Sequence, residues 1–277
     1  MELLRPSSVE EARGTLGNGS VALAGGTELV PLLRDGLIRA DRLVDVRGVV
    51  PRGIDGRTIG AGTTLAELEA SDEIPDALRE ACRLAASPQL RNMGTIGGNL
   101  LQATRCWYWR LRFPCWLHGG DRCHAREGQH REHAIFANEP CASAHPSDPA
   151  AALLALGATV RTDRRELPIR DLYRLPTEDD RNVTALEPGE LILELEVPSP
   201  DASVYLKEMD RARYAFAIVS AAGARFGAET RIALAGVAPI PWLLGSLEDA
   251  TPLPGNAYKL ELAKVLVERA RAAVVAQ

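Results

Sequence analysis

The feature that most constrains this chain lies in residues 91–148, where a glycine-containing turn runs directly into four cysteines. The turn reads RNMGTIGGNLLQ, and the segment ends with HPSD at residues 145–148. The cysteine spacing contains no CxxC pair of the kind found in zinc ribbons and fingers, which weakens the interpretation as a zinc site. Four thiolates suit a 4Fe-4S cluster as well as zinc, so the residues alone leave both open. The four cysteines are Cys106, Cys115, Cys123 and Cys141.

A second glycine turn lies upstream, where VALA at residues 21–24 predicts a strand and LVPLLRDG at residues 29–36 predicts a helix. Between them stand Gly25 and Gly26, which let a ligand approach the backbone closely. An isolated turn of this kind is more often a plain tight turn than a phosphate site. Two such turns in one chain could hold the diphosphate of a dinucleotide from opposite sides. Neither fits GxGxxG, so no nicotinamide Rossmann site is predicted.

Helix starts are marked by two capping boxes, SVEE at residues 8–11 and TLAE at residues 64–67. A third helix is predicted to begin at Ser147 or Asp148 and to end at Gly157. Asp148 is adequately explained as a cap.

Pro75 opens another helix, and Cys82 on its apolar face is predicted to fill core space.

The second half of the chain is predicted to be rich in strands. The polar run TEDDRN at residues 177–182 indicates a junction, so we expect one domain at residues 1–175 and another at 176–277. Further strands are expected near residues 43–46, 58–62 and 158–162. In the second half they are expected at residues 190–197, 203–209, 215–226 and 231–238, the last three forming a meander, with a final amphipathic helix from about residue 257.

Composition excludes several classes of protein. The net charge of -5 argues against a general nucleic-acid binder. No run of 18 apolar residues exists, so no membrane insertion is expected, and the first residues do not resemble a signal peptide. We therefore expect a cytoplasmic chain with reduced or metal-bound thiols, although export with a signal-bearing partner stays open. Hydrolase motifs such as GxSxG and HExxH are not found.

Aromatic residues and histidines crowd the cysteine segment. Trp107, Tyr108, Trp109, Phe113 and Trp116 would either shield a cluster from water or pack a long loop. All five histidines of the chain lie between residues 118 and 145, so a histidine-containing metal site is a further alternative.

These motifs together resemble the flavin subunits of the molybdenum hydroxylase, or xanthine dehydrogenase, family. AGGTELVPLLRDG at residues 24–36 is similar to their first FAD-pyrophosphate loop, and RNMGTIGGNL at residues 91–100 to their second. YLKEMDRARYAFAIVS, IALAGVAPIPW and NAYKLELAKVLVERA resemble landmarks of their C-terminal domain. The cysteine segment, at about residues 103–145, resembles an insertion in the flavin subunits of aldehyde oxidoreductase and 4-hydroxybenzoyl-CoA reductase, where four cysteines hold a 4Fe-4S cluster.

The resemblance implies an α+β fold. A two-lobed FAD-binding domain of the PCMH/vanillyl-alcohol-oxidase-like type would be followed by a C-terminal domain of sheet and helices, of the CO dehydrogenase flavoprotein type.

The resemblance also implies cofactor-binding positions. The FAD diphosphate would contact the backbones of Ala24, Gly25, Gly26, Thr27, Glu28 and Leu29, and of Thr95, Ile96, Gly97, Gly98 and Asn99. Asp148 would bond the ribityl chain, Ile59 would lie near the adenine, and Leu191 or Ile192 near the isoalloxazine. Lys207 would lie at the flavin edge, and no catalytic residue is assigned. Cys106, Cys115, Cys123 and Cys141 would hold the cluster.

The implied function is electron transfer. A molybdopterin-binding large subunit would oxidise the substrate, and a 2Fe-2S small subunit would pass electrons to this chain's FAD and on to an external electron acceptor. In this family a helical stretch usually follows the IALAGVAPIPW motif, and here that stretch is largely missing. Within the motif, API stands where a basic residue is common. Both differences leave the partner contacts and the environment of the flavin edge open. Two alternatives therefore stay open, a free-standing FAD-dependent oxidase or dehydrogenase and a zinc-stapled, non-enzymatic binding module.

Overall fold

The computed structural model describes residues 1–17 and 19–276 and contains three sheets. The strands in these residues are β1 (Glu2–Leu4), β2 (Ser20–Leu23), β3 (Arg42–Asp45), β4 (Ile54–Asp55), β5 (Thr58–Gly60), β6 (Thr159–Thr162), β7 (Glu166–Pro168), β8 (Ile192–Glu196), β9 (Ala202–Glu208), β10 (Val219–Phe226), β11 (Glu229–Ala235) and β12 (Trp242–Leu243). The α-helices are α1 (Val9–Thr15), α2 (Leu29–Arg34), α3 (Leu65–Glu69), α4 (Asp76–Leu84), α5 (Pro88–Arg91), α6 (Ile96–Leu100), α7 (Trp107–Arg110), α8 (His124–Glu127), α9 (Asp148–Leu156) and α10 (Tyr258–Ala276).

The first lobe is built on a small parallel sheet with the strand order β1-β3-β2. The capping box predicted for α1 is present in shifted form. Ser8 accepts a hydrogen bond from the backbone N–H of Glu11, but the Glu11 carboxylate accepts from the backbone of Ser7. The core of this lobe is formed by Ala12, Val44, Val46 and Leu191.

The second lobe contains an antiparallel sheet with the order β4-β5-β8-β6-β7. The capping box of α3 is complete, as predicted. Helix α9 has all nine residues buried, begins after the Ser147 cap and ends at Gly157, whose φ of 69° suits glycine. Cys82 in α4 is fully buried in the same core, which confirms its predicted packing role.

Strand β8 joins the second lobe across a long stretch of sequence. It pairs with β5 on one side and β6 on the other, so Leu195 lies between Ile59 and Val160. The domain boundary predicted after residue 175 stays a prediction. It assigns β8 to the second domain, but β8 is hydrogen-bonded to β5 and β6, which belong to the first.

Strands β9, β10 and β11 form the predicted antiparallel meander, and β12, which the sequence does not predict, extends it to the order β12-β11-β10-β9. Helix α10 packs against β9 and β10, while α4 contacts β9 and α9 contacts β10 and β11. Strand β10 is buried over most of its length, and its small residues let α9 and α10 pack closely against it. At Gly223 a Cβ would lie 3.3 Å from side-chain carbons of Ile232 and Val274, so glycine permits the close approach of α10. Residues 244–257 join β12 to α10 without a helix.

The cysteine segment is fixed to the meander by its distal end. The backbone N–H groups of Ile135 and Phe136 both donate to the carbonyl of Val237. The Phe136 ring stacks on Trp242 with centroids 5.3 Å apart. No helix within residues 1–17 and 19–276 is long and apolar enough to cross a membrane.

Candidate flavin and thiol sites

A cavity of about 600 Å³ lies where the two glycine turns meet β8. Eleven of the predicted cofactor-binding residues line it, and they come from segments far apart in the sequence. They are Ala24, Gly25, Gly26, Thr27, Glu28, Leu29, Thr95, Gly97, Gly98, Leu191 and Ile192.

Glycine is required where the two turns touch. A Cβ on Gly25 would lie only 1.8 Å from the carbonyl oxygen of Met93, which is backbone and cannot rotate away. A Cβ on Gly97 would lie 2.9 Å from the Cβ of Ala61. The cradle therefore depends on the absence of side chains at these positions.

The two turns differ in the backbone donors that they offer. Within residues 1–17 and 19–276, the N–H groups of Gly25, Gly26, Thr27, Glu28 and Leu29 donate to no protein acceptor. Backbone donors of this kind need a partner, and water or an anion can supply it.

In the second turn, by contrast, the four N–H groups of Ile96, Gly97, Gly98 and Asn99 all bond within the protein. An anion in the cavity can therefore accept hydrogen bonds from the backbone N–H groups of the first turn, while Gly97 and Gly98 of the second turn let it approach closely.

Glu28 points its carboxylate toward the cysteine segment. Arg105 lies 2.8 Å from one carboxylate oxygen, and Arg110 and the backbone N–H of Ala103 donate to the other. The Glu28 side chain is 17% exposed and so largely withdrawn from solvent. This double ion pair ties the first glycine turn to the start of the cysteine segment and neutralises a carboxylate beside a predicted phosphate site.

Three predicted contact residues, Ile59, Ile96 and Asn99, do not belong to the cavity lining. Ile59 and Ile96 are fully buried in the core of the second lobe. Asn99 uses its side-chain oxygen to accept a hydrogen bond from Ser147 Oγ at 2.6 Å. Asn99 therefore connects the second glycine turn to the start of α9.

Asp148 and Lys207 form a buried ion pair outside the lining of the 600 Å³ cavity. Their charged atoms are 2.7 Å apart, and the side chains are 3% and 0% exposed respectively. The hydroxyl of Tyr205 donates to the second Asp148 oxygen, and Lys207 also donates to the carbonyl of Leu84. Burial raises the pKa of Asp148, whereas the Lys207 ammonium opposes that rise. The structure thus brings together two residues that the sequence predicts at different parts of the flavin.

The four predicted ligand thiols lie in one region. The interaction between the neighbouring Cys123 and Cys141 side chains lowers the pKa of Cys123 and raises that of Cys141. Burial raises the pKa of Cys106 to about 11, and the charges of Cys115 and Cys123 add to that rise. Over the described parts of the chain, no three His, Cys, Asp or Glu side chains have the geometry to hold a single metal ion.

The sequence did not predict several residues that complete the two sites. Arg47 and Arg52 line the cavity and pair with Asp45 and Glu67. No sequence signal distinguishes them from other surface arginines.

Nothing in the sequence distinguishes His133 from the other four histidines, yet its Nε2 lies 3.1 Å from Cys106 Sγ.

Comparisons with known proteins agree with this architecture. A family model described as the FAD binding domain in molybdopterin dehydrogenase matches residues 1–200. The chain is 35% identical over 284 residues to the aldehyde oxidoreductase FAD-binding subunit PaoB of Escherichia coli (strain K12), covering 89% of this chain and 88% of that protein. It is 40% identical over 107 residues to the carbon monoxide dehydrogenase medium chain of Afipia carboxidovorans, covering 34% and 37%.

Solved structures show the same fold. A chain of carbon monoxide dehydrogenase from Hydrogenophaga pseudoflava superposes with a TM-score of 0.71 at 26% identity, covering 100% of this chain and 97% of that one. The cyanide-inactivated Cu,Mo-CO dehydrogenase superposes with a TM-score of 0.70 at 25% identity. The predicted α+β fold is thereby confirmed.

Proposed function

The chain belongs to the family of FAD-binding subunits of molybdopterin-dependent dehydrogenases, and from this membership we propose that its FAD occupies the cavity of about 600 Å³. As in other molybdenum hydroxylase-type oxidoreductases, such a subunit carries electrons through its flavin. The placement is supported above all by the backbone N–H groups of residues 25–29, which find no protein acceptor among the described residues and belong to the same cavity lining as Gly97 and Gly98.

The protein's part in this site is to bind and orient the cofactor. The first turn donates to the diphosphate, and Gly97 and Gly98 let it lie close to the second turn. Leu191 and Ile192 supply an apolar wall, and Glu28 is held away from the phosphate charge by its two arginines. FAD supplies the redox chemistry when bound, since it exchanges electrons singly with iron–sulfur clusters and in pairs with an acceptor. Ile59, Asp148 and Lys207 do not line the cavity, so we propose that they act on the flavin only through neighbouring residues.

We propose further that Cys106, Cys115, Cys123 and Cys141 hold a 4Fe-4S cluster. All four thiols are close enough for their pKa values to be linked. A four-iron cluster is wider than one ion, so its thiolates are spaced further apart than the ligands of a zinc site. Bound iron would also offset the cost of ionising buried thiols such as Cys141.

The partners proposed for the chain follow from its family. A molybdopterin-binding large subunit and a 2Fe-2S small subunit would deliver electrons, and an external electron acceptor would remove them. A cytoplasmic location is part of the same proposal. We also propose that the FAD-binding domain extends to about residue 200, because β8 completes its sheet and the family match ends there.

The test is an anaerobic purification with absorption spectroscopy and with flavin, iron, sulfide and zinc analysis. A flavin band with a broad iron–sulfur shoulder that bleaches on reduction is expected. Cys123→Ser should lose iron and keep flavin, whereas Cys82→Ala, the control for the remaining cysteine, should keep both. A colourless protein that contains zinc and no flavin would overturn the proposal. Co-expression with the proposed large and small subunits, followed by size-exclusion chromatography, tests whether the chain assembles with them. An active free monomer would favour a free-standing oxidase.

A further inference from the structure

His133 occupies a buried position against one of the proposed cluster ligands. Its side chain is 2% exposed, and its Nε2 lies 3.1 Å from Cys106 Sγ. In the described parts of the chain its other ring nitrogen, Nδ1, has no hydrogen-bond partner. Among the described residues, the Cys106 sulfur is therefore the polar partner of the ring nitrogens.

The protein holds His133 through both its ring and its backbone carbonyl. The indole of Trp107 meets it edge to face, with centroids 4.7 Å apart. The backbone carbonyl of His133 accepts hydrogen bonds from Lys259 Nζ at 2.9 Å and from Asn256 Nδ2 at 3.2 Å. Lys259 is fully buried and also donates to the carbonyls of Glu132 and Gly236, so the start of α10 holds this part of the cysteine segment against the meander.

We propose that His133 is a positioning residue that donates an Nε2–H···Sγ hydrogen bond to the Cys106 thiolate and thereby raises the reduction potential of the cluster. The proposal rests on the proposed cluster. A thiolate only accepts hydrogen bonds, so the proton of the bond belongs to Nε2. A donor at the sulfur withdraws electron density from the metal and stabilises the reduced cluster, which carries one more negative charge. The ring also fixes the direction of the Cys106 side chain.

The test compares three variants of the full chain, purified anaerobically with its partner subunits, by EPR-monitored redox titration. His133→Leu removes the donor and keeps apolar volume, so its midpoint potential should shift to a more negative value. His133→Gln keeps an N–H donor and should recover part of the shift. His118→Leu is the control, because His118 lies in the same segment but is exposed and its ring contacts the carbonyl of Trp109. Its potential should equal that of the wild type.

A second measurement uses the wild type and does not depend on the folding of a variant. Pulsed EPR of the reduced cluster after exchange into D₂O should detect a deuteron on the histidine nitrogen, assigned by ¹⁵N-histidine labelling. Equal potentials in the wild type and His133→Leu at equal iron content, or equal shifts in His133→Leu and His133→Gln, would overturn this inference alone. A wild type that holds no iron after anaerobic reconstitution would overturn the cluster proposal, and this inference with it.

Discussion

The substitution Gly25→Ala tests the flavin cradle most directly. The added Cβ would lie 1.8 Å from Met93 O and 2.6 Å from Met93 C. Real Cβ atoms essentially never approach another heavy atom within 3.0 Å, so the two glycine turns must separate by at least 1.2 Å. Because the obstacle is backbone, no side-chain rotation relieves the contact.

The expected magnitude has two parts. Overpacking of a well-packed contact costs about 1–3 kcal/mol of unfolding free energy. A separation of this size also moves an N–H donor from about 2.9 Å to beyond hydrogen-bonding distance of a phosphate oxygen. Loss of one charge-assisted hydrogen bond, about 1.5–3 kcal/mol, weakens FAD binding by about 10- to 150-fold.

A graded series of glycine substitutions provides the assay and its controls. Gly97→Ala meets Ala61 at 2.9 Å and should weaken FAD binding less, and Gly98→Ala meets only a hydroxyl at 3.1 Å and should weaken it least. Gly14→Ala lies in α1 with nothing within 4 Å, so it should stabilise the chain by about 0.5–1 kcal/mol and leave FAD binding unchanged.

Flavin stoichiometry and thermal unfolding with and without added FAD report both parts of the prediction. At 100 times the dissociation constant FAD should stabilise the wild type by about 2.7 kcal/mol, and Gly25→Ala much less at the same concentration. Wild-type FAD affinity in Gly25→Ala would refute the placement of the cofactor between the turns.

Three further predictions concern the ion pairs and a buried histidine. Glu28→Gln should lower the unfolding free energy by about 1–3 kcal/mol and reduce the iron content, because Arg105 and Arg110 lose the carboxylate that ties the cysteine segment to the first turn. Lys207→Met should cost about 3–5 kcal/mol in denaturant unfolding, because it leaves the Asp148 carboxylate buried without its cation. Burial lowers the pKa of His145 to about 3, below its unfolded value of about 6.5, so folding stability from this group is present above pH 6.5 and is lost as pH falls toward 3. His145→Gln should reduce the pH slope of the unfolding free energy in that window by about 1.4 kcal/mol per pH unit.

Each of these predictions has a matched control. Glu10→Gln removes an exposed carboxylate from α1 and should change neither stability nor iron content by much. Asp148→Asn combined with Lys207→Met should recover part of the loss, and purely additive effects would contradict the importance of the ion pair. His118→Leu, which replaces an exposed histidine, is the control for removal of an imidazole, and parallel pH curves for the wild type and His145→Gln would contradict the role of His145.

The sequence by itself determined the features that depend on local chemistry. The caps at Thr64 and Ser147, the turn at Gly157 and the meander of β9 to β11 appear as predicted. These features arise from side-chain hydrogen bonds, left-handed backbone conformations and apolar patterns within a few residues of one another. The two glycine turns were identified in the same way, and the resemblance of their motifs indicated the family.

Only the tertiary structure decided which charged and polar side chains from distant segments become partners. Glu28 belongs to the first glycine turn in sequence, but its carboxylate binds arginines about 80 positions later. Strand β8 pairs with β5 in the sheet of the second lobe, Asp148 pairs with Lys207, and His133 reaches Cys106, each across a long separation in sequence. Such contacts depend on how separate elements pack, and a buried charge or imidazole must take the partner that this packing provides. The glycine turn and the four cysteines that follow it are therefore joined through Glu28 as well as through the chain.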